Sequence, residues 1–97
     1  MIPHFPLPPQ LAVVCRAHDI AWLGVFGSVA RQQATATSDL DLLVRFGAPK
    51  SLFRVVATED ALSELFTRPV DLVTEAALSP YLRDRILAEM QVIYAAG

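Results

Sequence analysis

Ninety-seven residues, 54% apolar and 19% charged, are enough for one folded domain and exclude a disordered chain. A net charge of −2 excludes a protein that coats nucleic acid through a basic surface, yet leaves room for a local phosphate site. Cys15, the only cysteine, permits no intrachain disulfide, and no apolar run is long enough to cross a membrane.

Residues 1–9 form a proline-rich arm with Pro3, Pro6, Pro8 and Pro9 and no Lys or Arg, unlike a secretory leader. A cytoplasmic domain is therefore expected. Pro8 or Pro9 suits the first position of a helix reaching about residue 18, with Leu11, Val14 and Cys15 on one face. Residues 20–26 are mostly β-branched and aromatic and read as a buried strand, with Trp22 in the core or at an interface. The strand stops at Gly27-Ser28, where a short helix should begin and run to about residue 33. After a loop of small residues, positions 39–46 read as a second strand.

Gly47 and Pro49 end that strand. Ser51 then caps a helix to about residue 66, with Leu52, Val55, Leu62, Leu65 and Phe66 as its apolar positions. Glu59 interrupts this stripe, so its centre should be less buried. Arg68-Pro69 breaks the helix, and residues 70–74 form a third strand. Ser79-Pro80 matches an N-cap followed by proline at the first helical position. Leu82, Ile86 and Met90 recur every four residues on the helix that follows, and residues 92–95 suit a last edge strand. This alternation specifies an α/β domain.

Three pieces of the chain carry chemistry. Gly27 has no side chain, so a ligand can approach the backbone there, and free N–H groups at a helix start favour an anion. Asp39 and Asp41, two apart on a strand, project to one face, while Leu40, Leu42 and Val44 occupy the other. Two carboxylates about 4 Å apart repel by roughly 4 kcal/mol at an effective dielectric near 20, so the pair either holds a cation or stands as two solvated aspartates at the strand's start. Asp71 lies within a short apolar strand and is costly to bury without a partner. If that strand lies beside the second, all three carboxylates serve one site, as two-metal phosphoryl transfer requires. Magnesium suits such oxygen ligands.

Gly27-Ser28, ten residues, then Asp39-Leu40-Asp41 resembles the Gly-Ser-x10-Asp-x-Asp pattern of the DNA polymerase β-like nucleotidyltransferase superfamily. Phe26 through Arg31, Ser38 through Val44, Pro69 through Thr74 and Leu82 through Met90 resemble its minimal MNT branch in particular. The resemblance spans residues 20–94. It implies a polymerase β-like fold, a small mixed sheet of three to four strands packed by helices, in a single domain over residues 1–97. It also implies an antitoxin that transfers AMP from ATP to a tyrosine of a HEPN-type toxin partner, forming a hetero-oligomer with it.

By position, the resemblance assigns Asp39 and Asp41 to two Mg2+ ions and Asp71 to the catalytic ion and the acceptor's proton. It assigns Gly27 and Ser28 to the β- and γ-phosphates, and Arg31 to the triphosphate. Gln32, the weakly charged loop 33–37 and Thr67-Arg68-Pro69 depart from the family's usual glycines and charges. Two other functions fit the same residues: transfer to a small-molecule hydroxyl, or a binding antitoxin that covers its partner without chemistry. His4, His18 and Cys15 do not make a metal site. Tyr81 and Tyr94 suit packing better than nucleotide acceptance on this chain, and Arg83 and Arg85 read as solvated helix charges.

Overall fold

In the computed structural model, residues 7–27 and 39–96 are described. Four strands form one sheet in the order β3-β2-β1-β4. β1 (Ile20–Phe26) pairs antiparallel with both β2 (Leu40–Phe46) and β4 (Gln91–Ala95), whereas β3 (Val70–Thr74) runs parallel to β2. A parallel pair needs a long crossover, and α2 (Leu52–Phe66) supplies it. The expected mixed sheet and its terminal edge strand are therefore present. The short helix expected after Gly27 falls outside the described residues.

Alternation along each strand sends Leu23, Val25, Leu40, Leu42 and Val44 to one face, where they are essentially inaccessible to solvent. Leu62 of α2 and Leu11 and Cys15 of α1 (Leu11–Ala17) complete this core. Burial pushes the Cys15 thiol up to about 11, so it is inert packing. α1 starts later than its prolines suggest. They lie in a preceding turn, where the Leu11 N–H donates to the Pro8 carbonyl at 3.1 Å.

α2 departs from its sequence pattern in an informative way. Ser51 does cap it, accepting a hydrogen bond from the Arg54 N–H, but Leu52 is 76% exposed and Thr58 is buried instead. Glu59 is no interruption. Its carboxylate accepts a hydrogen bond from the Leu72 N–H at 2.8 Å, and Ser63 Oγ accepts one from the Val70 N–H at 3.1 Å. Two polar side chains of α2 thus satisfy amides of edge strand β3, which would otherwise invite pairing with another chain.

α3 (Pro80–Glu89) follows a 3-10 turn (Glu75–Ala77), and Ser79 Oγ accepts from the Leu82 N–H as its cap. Its expected apolar stripe is not buried: the helix has no buried residue, and Leu82 is half-exposed. The helix attaches by its end. A Cβ at Gly24 would sit 2.7 Å from Met90 Sδ, so the glycine provides the space into which Met90 fits.

Removing the Glu59 acceptor leaves the Leu72 amide without its charged partner. Glu59→Ala is expected to destabilise the fold by about 1–3 kcal/mol in urea titration, and Glu59→Gln by less.

Candidate active site

β2 is the strand around which the acidic groups are arranged. Its neighbours are fixed by ladder register: Phe26 of β1 lies opposite Asp41, and Asp41 lies opposite Asp71 of β3. Paired positions on adjacent strands share a face, and strands are spaced about 4.8 Å apart. Asp41 and Asp71 are therefore lateral neighbours on the face opposite the Leu40–Leu42–Val44 core. Asp41 is half-buried; Asp71 is exposed. Asp39 is exposed and precedes the first residue of β2, which is anchored by the Leu40 N–H donating to the Pro69 carbonyl at 2.9 Å.

Gly27 directly follows β1 beside this row and adopts φ 75°, a left-handed conformation that favours glycine. A side chain there is excluded on a second ground. A Cβ at Gly27 would run into Asp41 Oδ2 and would lie 3.1 Å from its Cγ. The strand-end glycine and the central aspartate thus occupy complementary space. Ser28 and Arg31, the remaining residues singled out by sequence, lie outside the described residues.

The Gly27 amide has a partner that sequence reading missed. It donates to Glu89 Oε1 at 3.2 Å, from the last residue of α3. A signal was available, because a helix dipole disfavours an anion in the last turn, and a carboxylate there needs another reason to be present.

Among the described residues no three His, Cys, Asp or Glu side chains converge closely enough to hold a metal ion unaided. The donor set still fits magnesium. This ion commonly takes one or two carboxylates and completes its shell with water and substrate phosphates, instead of a cage made wholly of protein. Adjacent carboxylates on β2 and β3, with a glycine keeping Cβ atoms away from Asp41, are such a partial set.

The far end of the same strands is different in character. Arg45, four residues beyond Asp41 and so about 13 Å along β2, lies over the Trp22 ring at 5.4 Å and pairs with Glu75 at 2.6 Å. A cavity of about 440 Å3 opens there, lined by Val44, Phe46, Pro49, Val55 and Thr74 among others. It contains none of the aspartates and is separate from the candidate site.

Comparison with known proteins finds a matching family and similar chains. The family model described as a nucleotidyltransferase domain matches residues 10–93. A candidate protein adenylyltransferase of Methanocaldococcus jannaschii is 42% identical over 72 residues, covering 74% of this chain and 77% of that protein. A solved structure of a candidate minimal nucleotidyltransferase superposes with TM-score 0.73 at 40% identity, covering 82% of both chains. One chain of the solved complex of a tri-AMPylated HEPN toxin of Shewanella oneidensis with MNT antitoxin gives TM-score 0.67 at 16% identity, covering 90% of this chain and 68% of that one. The last shares the fold.

Gly27→Ala should cost about 1–2 kcal/mol or more in urea titration, from the strained backbone and the collision with Asp41. Asp41→Ala made in the same molecule should recover part of that loss, giving a non-additive double-mutant cycle. Strict additivity would mean that the two residues do not share space.

Proposed function

The chain belongs to the nucleotidyltransferase domain family, and from that premise we propose that it is a magnesium-dependent protein adenylyltransferase. Its proposed reaction moves AMP from ATP to a tyrosine hydroxyl of a HEPN-type toxin, and its proposed role is that toxin's cytoplasmic antitoxin. The observation that carries this reading is the in-register placement of Asp41 and Asp71 on parallel strands, with Gly27 fitted against Asp41.

In this mechanism Asp39 and Asp41 would hold both of two Mg2+ ions, and Asp71 would hold the catalytic one. Magnesium held there would supply charge neutralisation for the triphosphate and its leaving group. Asp71, exposed at the sheet edge, accepts the acceptor hydroxyl's proton. The tyrosine oxygen then bonds to the α-phosphorus, the bond to the bridging oxygen breaks, and pyrophosphate leaves with that electron pair. From the family pattern, Gly27 and Ser28 are assigned to the β- and γ-phosphates and Arg31 to the triphosphate.

A protein acceptor is supported by the surface of the chain. Leu52 and Phe53 at the start of α2 are 76% and 88% exposed, adjoining apolar area that a partner would cover. The HEPN toxin assigned as partner follows the Shewanella complex. The same exposed side chains favour a second reading, in which the antitoxin neutralises its partner by cover alone.

Asp39→Asn combined with Asp41→Asn separates the two. Transfer of labelled AMP to the purified partner should fall by at least about a thousandfold, since charge stabilisation by bound metal contributes several kcal/mol. Circular dichroism should show the fold retained. Undiminished transfer would end the metal assignment, and full neutralisation by the inactive variant would establish cover as sufficient. Phe53→Glu should weaken the complex about tenfold or more by titration calorimetry if that apolar surface is the contact.

A further inference from the structure

Two carboxylates converge on Gly27 from different elements. Asp41 fills the space where a Cβ would stand, and Glu89 Oε1 accepts the amide hydrogen at 3.2 Å. Glu89 is thereby held at the C-terminal end of α3, against the helix dipole. The same helix end places Met90 in the gap left by Gly24. A helix with no buried residue is thus attached at two glycines, Gly24 within β1 and Gly27 directly after it.

We propose that Glu89 is a positioning residue for nucleotide binding, acting through the Gly27 amide. This rests on the adenylyltransferase reading above. Gly27 joins β1 to the segment assigned to the phosphates, and glycine loses more conformational freedom on ordering than any other residue. A charge-assisted hydrogen bond to its N–H orders this turn before nucleotide arrives, so that cost is not met at binding. The Gly27 amide is then an anchor for the turn that follows β1 instead of a phosphate donor.

Simple electrostatics and positioning predict opposite signs for removal of this carboxylate. A negative charge beside a triphosphate site repels the ligand, so on charge alone Glu89→Ala would tighten nucleotide binding. Loss of a positioning residue weakens it.

The test uses the full chain with magnesium and a non-hydrolysable ATP analogue, comparing wild type, Glu89→Ala and Glu89→Gln. Hydrogen exchange at the Gly27 amide should quicken about tenfold or more in Glu89→Ala, and affinity for the analogue should fall by a similar factor. In the transfer reaction KM for ATP should rise more than kcat falls. Glu89→Gln keeps an acceptor oxygen and should restore most of both. Should Glu89→Ala fail to fold, Glu89→Asp replaces it, keeping the charge while withdrawing it from Gly27. Unchanged or tighter binding in the folded variant overturns the proposal, as does equal loss in Glu89→Gln. Wild-type protein that binds no nucleotide defeats the adenylyltransferase reading together with this one. Wild-type binding matched by Glu89→Ala defeats this one alone.

Discussion

The parallel register between β2 and β3 is the constraint on which the rest of the site depends. It sets Leu40 opposite Val70 and Leu42 opposite Leu72, closing the core on one face. By the period of two it sets Asp41 opposite Asp71 on the other. A slip of one residue would place an aspartate in the core and a leucine at the site. Burial of the leucines thus holds two like charges side by side, an arrangement that electrostatics alone would not choose. Glu59 and Ser63 reinforce the register from outside by satisfying the amides of Leu72 and Val70.

The second controlling feature is where side chains are missing. β1 is flanked by two strands, yet it carries Gly24 and is followed directly by Gly27. Each is occupied by another element's side chain, Met90 over Gly24 and Asp41 beside Gly27. Glycine weakens a strand interior, and here that cost coincides with close approach of the groups at the site. The helix end and the carboxylate row are joined through a few ångströms of backbone.

Much of this was legible in the sequence because local rules and global fold agree. Residues 20–26 and 70–74 match their strands to the residue, and Ser51 and Ser79 cap the helices that their spacing marks. The acidic row followed from i, i+2 geometry plus the adjacency of two strands, and that adjacency is what the structure supplies. What sequence periodicity could not deliver was the destination of single polar side chains. Glu59 reads as a break in an apolar stripe, although it caps an edge strand. Glu89 stands in the stretch Leu82 through Met90 with no role of its own in the sequence, although it binds Gly27. Leu52 and Leu82 read as core and are exposed, since periodicity reports a helix face without saying what covers it.

Catalysis on a protein acceptor is the central claim, and the mass of that acceptor reports on it most directly. Intact-mass spectrometry of the HEPN-type partner, after incubation with this chain, magnesium and ATP, should show a gain equal to one or more AMP groups. The gain should map to tyrosine and require all three components. An unchanged mass in a partner that is stably bound and neutralised would contradict the account and leave cover as the function.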